Sequence, residues 1–319
     1  MGEVHQLVLG LGREEARKRQ PEEIKLIDIA AALLSEESLD SSYVFSGFCV
    51  TSLPHKKLPD DAVWERIGMS GRAKLVVAPG VLASTSTKSK LIGCPYGALA
   101  RLMLIFIQSE AVKGSAPIVE LGRSMHDWLG RMGVACGGRT YNDAREQARR
   151  LAACSLSYAY EDENGRESFE NCRLIRRGSL TFDAGDGRQG SLPLPETVEL
   201  SSEFFTAVMK RPVPLWEPAL RELSNQSQAL DIYVWLAYRL HVLERPTPIS
   251  WAALFEQFGA GYAPESAHIF RRNFIASLKL ALAAYPDGKV ELQEGKRGRG
   301  GIVLHHSRPA IPKLNVGRK

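Results

Sequence analysis

Apolar residues recur at helical spacing in two well-separated stretches of this chain, and each stretch continues into the same succession of elements. In the first, Ala98, Leu102, Phe106 and Ile107 predict an amphipathic helix over 97–112. A short apolar strand follows at 118–121, and Ser124 stands where an N-cap would open a helix over 125–132. Gly133, Gly137 and Gly138 mark a turn. Beyond it, Tyr141, Ala144, Ala148 and Leu151 share one face of a helix over 140–153. Extended runs at 156–160 and up to Ile175, split by the polar turn 161–166, read as a β-hairpin.

The second stretch repeats the plan. Ile232, Tyr233, Leu236, Leu240 and Leu243 predict an apolar helix over 230–243, which Pro246 and Pro248 end. Ser250 caps a short helix over 251–258, Gly259 and Gly261 turn the chain, and Pro264 opens a long helix reaching Tyr285. Its buried stripe is expected at Ala267, Phe270, Phe274, Leu278, Ala281 and Tyr285. Runs at 289–294 and 302–306 flank the loop 295–301 as a second hairpin. Two helices joined by a short turn and followed by a hairpin describe a winged helix-turn-helix. The expected architecture is therefore α+β, with tandem winged helix-turn-helix domains. Residues 1–40 read as an acidic N-terminal tail or helix, 41–195 as a first winged domain with an N-terminal strand extension, and 196–319 as a second with a basic wing and C-terminal tail. The stretch 178–195, rich in glycine and proline, would be a hairpin tip or linker. Residues 43–90 mix short apolar runs with turns and fit either an extension of the first domain or a small sheet of their own.

The charge is unevenly spread. The 41 Lys and Arg exceed the 36 Asp and Glu by only five. Residues 1–40, however, hold nine acidic against five basic side chains, and 263–319 hold eleven basic against four acidic. With 319 residues, 44% hydrophobic and 24% charged, the chain is globular and long enough for about two domains. No apolar run approaches the ~20 residues of a membrane span and no signal-peptide pattern opens the chain, so a cytoplasmic protein without a membrane partner is expected. Cys49, Cys94, Cys136, Cys154 and Cys172 are odd in number and lack CxxC spacing, which points to reduced thiols rather than disulfides or zinc.

Enzyme signals are weak. The nearest approach to a phosphate loop, Gly80 to Ser89, lacks the second glycine. His305 and His306 are adjacent, whereas metal ligands on one strand face sit two residues apart; they read as the end of the hairpin. Asp60–Asp61 and Glu36–Glu37 read as solvated surface. No catalytic residue, metal or cofactor is expected. Cationic and polar side chains on or beside the predicted third helices are the stronger feature: Arg139, Thr140, Arg145, Arg149 and Arg150 in the first copy, Ser266, His268, Arg271, Arg272 and Asn273 in the second. Helices that enter a major groove N-terminus first bring such side chains to base edges, Arg pairing with guanine and Asn with adenine; a solvated helix face is the plainer alternative. The loop carrying Lys296, Arg297 and Arg299 among glycines would track phosphates and add affinity more than sequence choice. At the N-terminus, Gln6, Leu7, Leu9 and Leu11 fit a QLxLxL pattern. In an extended tail they would fill a partner's groove, in the manner of the short peptides with which bacterial proteins bind the sliding clamp. They also fit a strand or helix of the N-terminal domain.

The chain resembles the plasmid-encoded RepA replication initiators. The likeness rests on Pro95-Tyr96-Gly97-Ala98-Leu99-Ala100-Arg101-Leu102, Glu120-Leu121-Gly122-Arg123-Ser124, Gly137-Gly138-Arg139, Arg149-Arg150-Leu151 and the run from Leu230 to Leu240, in that order over 43–309. The resemblance implies binding to double-stranded direct repeats (iterons) at a plasmid origin, opening of a neighbouring AT-rich segment, and loading of host proteins such as the host initiator and replicative helicase. It also implies homodimers that restrain copy number, and no ATPase or nicking activity. The competing readings are a tandem winged-helix transcriptional repressor, a scaffold module and a nickase.

Overall fold

The computed structural model describes residues 2–83, 88–162, 164–178, 196–293, 295 and 300–311. The chain forms two compact units, one made of Met1–Ser42 and Pro214–Lys319, the other of Tyr43–Val213. In order, three helices come first: Glu3–Leu11 (α1), Arg13–Arg19 (α2) and Ile24–Leu34 (α3). The strand Ser41–Phe45 (β1) leads into the second unit, which runs through Ser46–Val50 (α4), Trp64–Gly68 (β2), Ala73–Ala78 (β3), Gly97–Gly114 (α5), Ile118–Gly122 (β4), Met125–Arg131 (α6) and Gly138–Ala153 (α7). Ser155–Glu161 (β5), Glu167–Arg173 (β6), Ile175–Gly178 (β7), Glu196–Leu200 (β8) and Ser202–Lys210 (α8) complete it. The strand Pro212–Trp216 (β9) leads out to Glu217–Glu222 (α9), Ser227–Arg239 (α10), Thr247–Ser250 (β10), Trp251–Phe258 (α11), Ala267–Ala283 (α12), Val290–Gln293 (β11) and Gly301–Leu304 (β12).

In the unit of residues 43–213, α5 is buried on most of its surface. Two of its polar side chains are spent on the backbone of β1: Tyr43 N–H donates to Ser109 Oγ and Phe45 N–H to Gln108 Oε1, both at 2.7 Å. Such bonds supply partners to donors that would otherwise be buried bare. Residues 43–90 do contribute strands to a sheet, but not a separate one. β2 and β3 join the hairpin β5–β6 in an antiparallel sheet of order β2-β3-β5-β6. The strand expected between the first two helices, β4, lies elsewhere and pairs with β8 in the sheet β4-β8-β7. That pairing, with the buried Phe204 and Val208 of α8, carries residues 196–213 into this unit and displaces the boundary expected after residue 195. The linker expectation for 178–195 lies outside the described residues from 179 onward.

The other unit follows the expected order more closely. α10 and α12 form its helical core, and β10, β12 and β11 make one antiparallel sheet. Gly301 is dictated by this sheet: a Cβ there would lie 2.0 Å from the Ile249 carbonyl oxygen. The N-terminal segment is not a loose tail. Val8, Ala16, Ile27 and Ala30 form a small core among α1, α2 and α3. Asp28 binds both Arg13 and Arg17, and Lys279 of α12 pairs with Glu23 at 2.7 Å.

The QLxLxL segment is correspondingly helical, a correction to the extended-tail expectation. Alternate leucines of a strand would share a face, but in α1 they diverge. Leu7 packs half-buried against the three-helix core, while Gln6, Leu9 and Leu11 are exposed. The stripe that decides the matter is His5 and Val8, both buried. His5 Nε2–H donates to the Ala283 carbonyl at 3.0 Å, at the end of α12. Burial holds the imidazole below its ordinary pKa of 6.5, against the opposing pull of that hydrogen bond.

A base with a depressed pKa binds its proton in the unfolded chain first. Its stabilising share is therefore complete above about pH 6.5 and lost as the pH falls. Amide exchange in α1, corrected for intrinsic rates, should be faster at pH 5.5 than at 7.5, and the difference should shrink in His5→Gln.

Candidate nucleic-acid interface

The long helix α12 shows how one face comes to be offered outward. Phe270, Phe274, Leu278 and Ala281 recur at spacings of four, four and three and are buried. The two phenylalanine rings pack against α11: Phe255 lies edge-on 5.1 Å from Phe270, Trp251 edge-on 6.0 Å from Phe274, and Phe258 tilted at 5.4 Å from Phe274, centroid to centroid. Each such contact adds roughly 0.5–1.5 kcal/mol beyond area burial. Ser250 accepts a hydrogen bond from Ala253 N–H and opens α11 as expected from the sequence. Between the helices, Gly261 takes a positive φ of 103°.

With that stripe fixed, His268, Arg271 and Arg272 are exposed in the first turns of α12. Arg271 does not range freely, because its guanidinium lies 4.8 Å from the centre of the Trp251 ring. Asn273 is half-buried, and its amide donates to Tyr262 Oη at 3.0 Å, which ties the helix to the preceding turn. Ser266 is half-buried and makes no side-chain cap. Of the five positions, His268 and Arg272 are the exposed ones without a packing role, and Ala267, expected in the stripe, is exposed. Lys296, Arg297 and Arg299 lie outside the described residues. The glycines that follow them have a local reason: Gly300 lies so close to the Gln293 carbonyl that a Cβ would sit 2.3 Å away.

The helix pair α6–α7 is built differently. Ser124 caps α6 through Asp127 N–H, and Asp127 returns a bond to Arg123 N–H. Trp128 and Leu129 anchor α6, and α7 buries Ala144, Gln147, Ala148 and Leu151. Arg139 and Arg149 are exposed, Thr140 is half-buried, and the half-buried Arg145 reaches Asn142 Oδ1 at 3.3 Å.

Arg150 is a correction. It is buried, paired with Asp60 at 2.9 Å and Glu146 at 2.8 Å, bonded to the Cys94 carbonyl, and 5.3 Å from the Tyr96 ring centre. Lys57 closes the far side of Glu146 at 2.9 Å. The helix wheel places Arg150 three residues from Gln147 on the inward side, so its charge is neutralised inside the unit rather than offered to a ligand. The Arg150 guanidinium holds the Asp60 carboxyl below the usual range; for Glu146, burial pushes upward but the bonds from Lys57 and Arg150 prevail.

His305 and His306 are engaged locally, His305 with Glu291 at 3.3 Å and His306 with the Leu243 carbonyl at 3.0 Å. Among the described residues no group of three or more His, Cys, Asp or Glu is placed to hold a metal ion, and no helix is long and apolar enough to cross a membrane. The five cysteines are unbridged, with Cys49, Cys94 and Cys154 buried, Cys172 half-buried and Cys136 exposed. Sequence reasoning missed Trp251 and Tyr262 as the side chains that hold the cationic face, and Asp60 and Glu146 as the sink for Arg150. Only the i,i+4 spacing of Glu146 and Arg150 could have signalled the last.

A family described as plasmid encoded RepA protein matches residues 94–252. No curated protein matches the chain. Among solved structures, domains 2 and 3 of RctB superimpose at a TM-score of 0.52 with 12% identity, over 84% of this chain and all of that one. A second structure of RctB domains 2–3 gives 0.45 and 12%, over 82% and 96%.

Removing one partner of a buried ion pair costs about 3–5 kcal/mol where both groups are enclosed. Asp60 is half-exposed, so Arg150→Ala should lose about 2–3 kcal/mol of unfolding free energy by urea titration. The carboxylates are stabilising above their ordinary pKa values. The stability step on acidification below about pH 4.5 should therefore diminish in Arg150→Ala.

Proposed function

Because the chain belongs, over residues 94–252 and so about half of its length, to the plasmid-encoded RepA family, we propose that it is a replication initiator that binds repeated duplex DNA at a plasmid origin. In this reading α11–α12 and α6–α7 are the helix-turn-helix elements of two winged-helix domains, and α12 and α7 are the helices that enter the major groove. Binding energy is used to bend or untwist the origin, which helps open an adjoining AT-rich segment. A host initiator and replicative helicase are then recruited, and no catalytic step falls to the chain itself.

The observation that carries the proposal is the first half of α12, where His268 and Arg272 stand exposed opposite an aromatic stripe packed on α11. Arg271 stacked on Trp251 suits a phosphate contact, since its guanidinium is held in place while its edge is exposed. For the winged form, support is strongest in the unit that contains α12: β10 lies between α10 and α11 in sequence and joins β11–β12 in one sheet. In the other unit the order of elements is the same but β4 leaves the hairpin for β8, so that copy departs from the simple plan. On its helix α7, Arg139 and Arg149 are the exposed cations. The fold likeness to RctB domains 2 and 3 extends over 84% of this chain.

The test is fluorescence anisotropy with repeats cloned from the DNA flanking the gene. Affinity should fall steeply with salt, with a log–log slope of about −0.9 per neutralised phosphate. Arg272→Ala and His268→Ala should each cost about 1–3 kcal/mol of discrimination between the repeat and a scrambled duplex. Alanine at Lys296, Arg297 or Arg299 should weaken both duplexes alike and flatten the salt slope by about one. Discrimination unchanged by both α12 variants would remove the assignment of this helix.

A further inference from the structure

The hairpin β5–β6 is the wing of the first copy in the reading above, but its charge argues against a phosphate contact. Its described residues carry Glu161, Asp162, Glu167 and Glu170 against Arg166 and Arg173. That is the opposite of the loop holding Lys296, Arg297 and Arg299, and phosphates would be repelled from it. We propose that the open edge of β6 is a docking surface for an extended, basic peptide of a partner protein, which adds to the sheet as a fifth strand beside β2-β3-β5-β6.

Four observations support this. β6 is the last strand of its sheet, and among the described residues it pairs only with β5. The ladder runs unbroken through seven pairs from Ser155↔Arg173 to Glu161↔Glu167, with no bulge, and β6 contains neither proline nor glycine. A bulge and a proline are two of the devices that protect edge strands from added strands; of the others, β6 carries charges, which restrict what can pair with it. The hairpin is also held in shape before any partner arrives. Asp162 Oδ1 accepts from both Asn164 N–H and Arg166 N–H at 2.9 Å, and Asp162 N–H donates to the Arg166 carbonyl. On one face of β6, Cys172 is half-buried near Phe204 and Ala207 of α8 beside a small cavity of about 20 Å³, and Glu170, which also lines it, is exposed. On the other face Phe169 is 71% exposed, the most open of the large apolar side chains described.

The chemistry of the occupant follows from the register. In an antiparallel addition, the residue opposite Phe169 should be apolar, the one before it, opposite Glu170, basic, and the one two positions after it, opposite Glu167, basic also. Main-chain hydrogen bonds supply affinity in strand addition, and alternate side chains supply choice. Within β6 Glu167 and Glu170 outnumber Arg173, and a Lys- or Arg-bearing strand placed beside them neutralises both. Charge complementarity to these two carboxylates favours a basic partner, and self-pairing is left to the test below.

The probe is a fluorescein-labelled peptide, Thr-Thr-Lys-Val-Thr-Lys-Thr, titrated with the full chain in the absence of DNA. Saturable binding is expected. It should be abolished by N-methylating alternate peptide amides, and weakened at least tenfold by Phe169→Ser or Glu170→Lys in the chain. Phe169 is so exposed that Phe169→Ser should keep the native circular dichroism and the wild-type affinity for origin duplex, which separates this test from that of DNA binding. Absence of saturable binding overturns the proposal, as does equal binding of the methylated peptide. Self-association that Phe169→Ser abolishes, seen by sedimentation without peptide binding, would assign the edge to a second copy and overturn it as well.

Discussion

A helix that must bury one stripe has no choice about what it shows on the other side, and this constraint governs the reading of both units. In α12 the constraint is tight. Phe270 and Phe274 are held between rings of α11 on one side and the helical core on the other. Turning the helix by even one residue would expose a ring and bury an arginine, a cost well above the few kcal/mol by which domains are stable. The outward direction of His268 and Arg272 is thus an energetic property of the aromatic packing rather than of the cations themselves.

The same logic is weaker in α7. Its buried positions are alanines, Gln147 and Leu151, which leave room for a long side chain between the helix and the loops beside it. Arg150 takes that room, with its charge balanced by Asp60 and Glu146 and its remaining donors satisfied by a carbonyl. A cation on a helix is therefore informative about a ligand only once its neighbours are known. In α7 Arg139 and Arg149 retain that meaning and Arg150 does not.

Local features were legible in the amino-acid order. Ser124 and Ser250 cap helices where the pattern put them, the second of the paired helices in each stretch begins within three residues of its expected place, and both hairpins form. These depend on periodicity and on side chains one to four residues away. What escaped was nonlocal. Nothing near Ile118–Gly122 says that it pairs with residues 196–200. Nor does anything near Gln6 announce that a carbonyl at residue 283 will receive the neighbouring histidine. The QLxLxL pattern was ambiguous because strand and helix both accommodate a six-residue apolar run, and the helix is chosen by contacts with α2 and α3.

The discontinuity of the first unit bears on how the protein is made. His5 and Ala283 are 278 positions apart in sequence yet share a hydrogen bond. During synthesis the three leading helices leave the ribosome with only one another for support, and residues 43–213 can fold whole before α12 exists. The leading segment must then wait for the last third of the polypeptide. Any truncated product that stops short of α12 would therefore carry a finished inner unit and an unpartnered N-terminal segment, a natural substrate for chaperones and proteases.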